Sequence, residues 1–215
     1  MSLTDFREPL IIEINLARQI NLAAYTMLPC TNGRSERADL AAALAHIALE
    51  HIAAILSLFE IGAIASGYAL MRPALETTYK SVWIASVADD EKVIRAYAGR
   101  DVYGDLKNII SDIEAEFEET GWAATFGSIR PHIRALHERT HSGAEQTLRR
   151  LKAQDMRMSE YDFGEVIRDI RTLAGAAILA AVPVVTSSDV EKLNSLMLAN
   201  YSWLGQQLSA DSTSM

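Results

Sequence analysis

One segment of this chain, Ser66–Trp83, places two opposite charges among aromatic rings at helical spacing. On a helical wheel, Arg72 and Glu76 fall within about 40° of one line that also carries the rings of Tyr79 and Trp83. A solvent-exposed face would instead surround such charges with polar side chains. Because a charge removed from water is costly unless it is paired, the segment predicts an ion pair. A structural pair is the simpler interpretation, and the wall of a binding site is the alternative.

His51 is a candidate to join this pair. It follows Ala48 and precedes Ile55 on an apolar stripe of the preceding helix. A buried histidine satisfied by one hydrogen bond is the simpler interpretation. The alternative is that His51 pairs with Glu76 or lines a pocket beside it. His46, on the other side of the same helix, is predicted to be solvent-exposed.

A basic segment follows later in an otherwise acidic chain. Residues 130–157 contain seven Lys or Arg, three His and only three Asp or Glu. A solvated charged face explains this composition. The functional alternative is a site for phosphate or another anion, with arginine as the planar donor and histidine as acid or base.

Two residues of this segment, Arg134 and His141, are separated by six others, which resembles the Arg–His spacing of metal-independent HEPN ribonucleases. In such a site the arginine would stabilise phosphate charge, and the histidine would act on the 2′-hydroxyl or the leaving oxygen. Arg130 and His137 have the same spacing, and Ala135 replaces the usual small polar residue. Arg134 and His141 are therefore the catalytic candidates.

No metal site or cofactor is expected. A di-iron bundle needs two Glu-x-x-His motifs, and the chain has one, at Glu138–His141. There is no glycine-rich phosphate loop and no Gly-x-Ser-x-Gly motif. Cys30 lies in a turn without a neighbouring histidine.

The chain shows helical periodicity and no alternating strand pattern, so helices must position these residues. It predicts a single all-α domain over residues 1–208, an antiparallel bundle of about six or seven helices, with a disordered tail at 209–215. The predicted helices are about 5–28, 35–62, 66–87, 89–119, 128–154, 163–185 and 188–208.

Composition narrows the class of protein. Of the 215 residues, 49% are hydrophobic, which is typical of a globular protein. The net charge of −8 makes general DNA binding unexpected. The single Cys30 fits a reducing, cytoplasmic compartment. The longest apolar run, residues 173–185, is shorter than the roughly 20 residues of a membrane span. Alanine-rich apolar faces favour a homodimer.

Three sequence blocks resemble a domain-of-unknown-function family of uncharacterised bacterial helical proteins. The blocks cover about residues 39–150 and consist of Glu50-His51, Ser66-Gly67-x-Ala69-Leu70-x-Arg72-Pro73-x-x-Glu76 followed by Trp83, and Thr140-His141-Ser142-Gly143-x-x-Gln146. Lys80 departs from the pattern, where arginine is expected. The resemblance implies that His51, Arg72, Glu76 and His141 belong together, and it assigns no activity. Related families look HEPN-like at the level of fold.

Three functions remain open. The leading hypothesis is a cytoplasmic protein that binds a small anionic or nucleotide-like ligand at a buried polar cluster of His51, Arg72, Glu76 and His141. The enzyme alternative is a HEPN-like ribonuclease of a toxin or phage-defence system, which would act on RNA with Arg134 and His141. The third is a structural or interaction module without catalysis.

Overall fold

The computed structural model describes residues 3–30, 33–120, 127, 147–148, 151–152 and 161–200. In this part of the chain there are no strands, and the prediction of an all-α bundle of six or seven helices is confirmed. The helices are α1 (Leu3–Met27), α2 (Glu36–Glu60), α3 (Ile64–Ser86), α4 (Asp90–Tyr97), α5 (Leu106–Glu116), α6 (Phe163–Ala181) and α7 (Ser187–Asn200), with a short 3-10 helix at Glu118–Thr120. The predicted helix 128–154 lies almost wholly outside the described residues.

The pairing of α2 with α3 is the most extensive helix contact in the described part. A short turn joins the two helices, and its Gly62 has a φ of +81°, a left-handed conformation that glycine adopts without steric cost. Further along α3, a Cβ added at Gly67 would lie 2.4 Å from the ring atom Cε1 of Phe59. The absence of a side chain at Gly67 therefore allows α3 to approach the ring of α2 closely.

Helix α2 is the central helix of the described structure. It packs against α1, α3, α4 and α6. Among the described helices it alone is long and apolar enough to cross a membrane, with a mean hydropathy of 1.8 over its most apolar stretch. The core helix of a soluble bundle has the same composition, because several neighbours cover its surface.

The N-terminus of α2 is held by two side chains. The hydroxyl of Ser35 accepts a hydrogen bond from the Ala38 amide at 3.2 Å, which is an N-cap. The carboxylate of Asp39 accepts from the Gly33 amide at 2.8 Å and from the Arg34 amide at 3.4 Å. These hydrogen bonds hold the pKa of Asp39 below its ordinary value, and the bond from the Gly33 amide has the largest effect.

The prediction of one helix over 89–119 is wrong. Helix α4 ends at Tyr97 and α5 begins at Leu106. Gly99 has a φ of +78°, and a left-handed residue at this position ends a helix. The intervening residues 98–105, called here the α4–α5 loop, bring α5 back against α3. This loop forms one side of the candidate site.

A candidate ligand-binding cleft between α3 and α5

Arg72 and Glu76 form the ion pair that their spacing predicts. The Nε atom of Arg72 donates to Oε1 of Glu76 over 2.7 Å. The two side chains keep 24% and 27% of their surface exposed. The pair therefore lies at the edge of the core, where both charges remain within reach of a molecule from solvent.

The aromatic residues of the same face are buried. Tyr68, Tyr79 and Trp83 are each less than 5% exposed. The indole Nε1–H of Trp83 donates to the Asp112 carboxylate of α5 at 3.1 Å, and the ring of Tyr103 lies edge-on with centroids 6.2 Å apart. Helix α5 and the α4–α5 loop thus cover Trp83, whereas the ring of Tyr68 packs against those of Phe59 and Tyr161.

The charged part of α3 forms one wall of a cleft of about 130 Å³, called here the α3–α5 cleft. Arg72, Glu76 and Lys80 follow one another at intervals of four residues, about one helical turn each. The opposite wall comes from the end of the α4–α5 loop and the start of α5, namely Gly104, Asp105, Leu106 and Ile109.

Lys80 is held in the cleft by a ring rather than by a carboxylate. Its Nζ lies 4.8 Å from the ring centroid of Tyr103, within the range of a cation–π contact. Burial, and next the charge of Asp101, raise the pKa of Tyr103 above its ordinary value. The ring therefore stays neutral, and Lys80 forms no ion pair with any described residue.

Asp105 stands at the N-cap of α5 but does not cap it, since its side chain makes no hydrogen bond to the amides of the first turn. The corresponding residues of two other helices behave differently. Asp89 accepts from the Lys92 amide at 2.8 Å, and Asp162 accepts from the Gly164 amide at 2.7 Å. The N-terminus of α5 therefore lacks a side-chain cap where it meets the cleft.

The other predicted site residues lie apart from this cleft or cannot be placed. His51 is half-buried at the edge of the buried face of α2. It does not line the α3–α5 cleft, and it makes no hydrogen bond or ion pair with Arg72 or Glu76. Arg134 and His141 lie outside the described residues. A site shared by His51, Arg72, Glu76 and His141 thus remains a prediction.

Several contacts near these residues were not predicted. The sequence marks Lys80 only as a departure from a family pattern, although its position eight residues after Arg72 already places it near the same helix face. The sequence pattern does not indicate Asp105 as a site residue, because its position beside the cleft depends on the break in the chain after α4. His46 is half-buried rather than exposed, with Nε2 at 3.1 Å from the Pro29 carbonyl and its ring 5.0 Å from that of Tyr25.

The chemistry of the cleft is that of charge recognition. Two cationic and two anionic side chains line it beside two aliphatic ones. In the part of the chain that the structure describes, no group of three or more His, Cys, Asp or Glu is placed to hold a metal ion.

Comparison with known proteins gives one match. No curated protein and no solved structure is significantly similar to the chain. A family model matches residues 45–203, which include most of α2 and the whole of α3, α4 and α5 with their cleft. The resemblance to a domain-of-unknown-function family is thereby confirmed, and the chain belongs to DUF6988, a family of unknown function.

Proposed function

We propose that this protein is a cytoplasmic binding protein that holds a small molecule with an acidic group in the α3–α5 cleft. The observation that carries the proposal is the row Arg72, Glu76 and Lys80 facing the N-terminus of α5 across a cleft. Lys80 is the principal donor, because its ammonium group forms no ion pair in the described structure.

Two further features favour an anion beside Lys80. The unpaired amides at a helix N-terminus carry a partial positive charge of about half a unit, and they commonly bind anions. The N-terminus of α5 has no side-chain cap to occupy those amides. Charges at a partly buried site also interact more strongly than charges in bulk water.

The size of the cleft limits which anionic ligands can fit into it. Its volume is about 130 Å³ as lined by the described residues, whereas pockets for drug-sized ligands usually have about 300–1,000 Å³. Phosphate or a short carboxylic acid fits this volume. We therefore favour the small anionic ligand over the nucleotide-like one.

Calorimetric titration with phosphate and with propionate at low ionic strength tests the proposal. We expect Lys80→Met to weaken binding about tenfold, equivalent to about 1.4 kcal/mol. Lys92→Met is the matched control, because Lys92 also lies over an aromatic ring, 5.5 Å from the centroid of Trp83, but does not line the cleft. Wild-type affinity in Lys80→Met, or no binding of either anion to the wild type, would contradict the proposal.

The ribonuclease alternative provides a separate test. Its residues, Arg134 and His141, lie outside the described part of the chain, so it rests on their sequence spacing. Cleavage of RNA by the purified protein that is lost in His141→Ala would overturn the binding proposal in favour of this alternative.

A further inference from the structure

We infer that the ligand of the α3–α5 cleft is zwitterionic, with an amino group a few bonds away from its acidic group. This inference rests on the proposed function, since it concerns the ligand of the same cleft. It adds that Glu76 and Asp105 bind a positively charged group of the ligand, while Lys80 binds a negatively charged group.

The balance of charge in the cleft is the first argument. Arg72 and Lys80 contribute two positive charges, and Glu76 and Asp105 contribute two negative charges. A simple anion that approaches Lys80 also approaches Glu76, which is one helical turn away on the same row. The repulsion from Glu76 offsets part of the attraction, because both act at similar distances. A cationic group on the ligand converts this repulsion into attraction.

The state of the two carboxylates is the second argument. Glu76 accepts one bond from Arg72, while about a quarter of its side chain remains exposed. The carboxylate of Asp105 caps no amide, and it forms no hydrogen bond or ion pair with any other described residue. Carboxylates are acceptors only, with about four lone-pair positions each. Both groups can therefore accept hydrogen bonds from an ammonium group.

The spacing of the wall residues sets the length of the ligand. Lys80 lies four positions after Glu76, which is about 6 Å along the axis of α3. A molecule with the reach of β-alanine can present its ammonium group to Glu76 and its carboxylate to Lys80. Leu106 and Ile109, which also line the cleft, would contact the methylene groups between them.

Three probes of similar size separate these contributions in calorimetric titrations. β-Alanine carries both charges, propionate lacks the amino group, and propylamine lacks the acid. We expect the wild type to bind β-alanine at least fivefold more tightly than either of the others. Equal affinity for propionate and β-alanine would overturn the inference while leaving anion binding intact. Failure of both phosphate and propionate to bind the wild type would refute the proposed function itself.

Variants of the acidic residues complete the test. Glu76→Gln should weaken β-alanine binding and strengthen propionate binding, because the same charge attracts the first ligand and repels the second. Glu60→Gln is the matched control, since the Arg18–Glu60 ion pair has the same 2.7 Å length and does not line the cleft. Asp105→Asn should fold normally, because the Asp105 side chain is exposed and has no partner among the described residues, and it should reduce the preference for β-alanine. An unchanged preference in both Glu76→Gln and Asp105→Asn would contradict the inference.

Discussion

Replacing Gly67 by alanine should leave this protein less stable than the same replacement at Gly175, which should stabilise it. Both glycines lie within helices, Gly67 in α3 and Gly175 in α6. An added Cβ at Gly67 would lie 2.4 and 2.6 Å from two ring atoms of Phe59, while one at Gly175 would have nothing within 4 Å. Both variants therefore gain the same helix propensity, but only the new methyl group at Gly67 overlaps a neighbouring side chain.

The magnitude follows from two opposing contributions. Alanine in place of glycine inside a helix gains about 1 kcal/mol in either variant. At Gly67 this gain is opposed by overpacking, which costs about 1–3 kcal/mol, because Phe59 is 1% exposed and packs against Tyr68 with centroids 5.3 Å apart. We expect Gly175→Ala to be about 1 kcal/mol more stable than the wild type. Gly67→Ala should lie about 1–3 kcal/mol below Gly175→Ala.

Urea unfolding followed by circular dichroism measures the free energy of unfolding of each variant. An m value equal to that of the wild type shows that each variant exposes the same amount of surface on unfolding. The double variant Phe59→Leu/Gly67→Ala should show favourable coupling, because the smaller side chain relieves the contact. Equal stability of Gly67→Ala and Gly175→Ala would refute the reasoning. It would mean that α2 and α3 do not approach as closely as the structure shows.

Two further predictions concern aspartates that accept hydrogen bonds from other parts of the chain. Because the pKa of Asp39 lies below its ordinary 3.8 in the folded protein, its stabilising effect is complete above that pH and is lost as the pH falls through the folded-state value. Asp39→Asn should therefore lower the melting temperature at pH 7, and this difference should narrow as the pH falls below 3.8; a constant difference would contradict the prediction. Asp112→Ala should cost about 1–3 kcal/mol in urea unfolding, because the indole N–H of Trp83 loses its acceptor while nearly buried. Asp112→Asn should cost less, since it retains an acceptor oxygen, and the reverse order would argue against this hydrogen bond.

The parts of the site that the sequence predicted are local in the chain. Arg72 and Glu76 lie one turn apart on a single helix, so their pairing follows from helical geometry alone. The lengths of α1, α2 and α3 were close to the prediction for a similar reason, since Gly33 and Gly62 mark the turns between them.

The parts that were missed depend on contacts between distant residues. The break between α4 and α5 depends on the left-handed Gly99, and a single glycine within a periodic segment does not by itself end a helix. Without this break, the periodicity of the segment cannot predict the contact of Lys80 with Tyr103 or the position of Asp105. Both depend on how the α4–α5 loop returns to α3.

The binding of a small charged molecule between α3 and α5 is tested most directly by nuclear magnetic resonance. Isotope-labelled protein is titrated with β-alanine while the backbone amide shifts are followed. We predict saturable shifts that are largest at Lys80, Leu106 and Ile109, which line the cleft. The absence of saturable shifts at these amides, or larger shifts elsewhere in the described helices, would contradict the assignment of the α3–α5 cleft as the binding site.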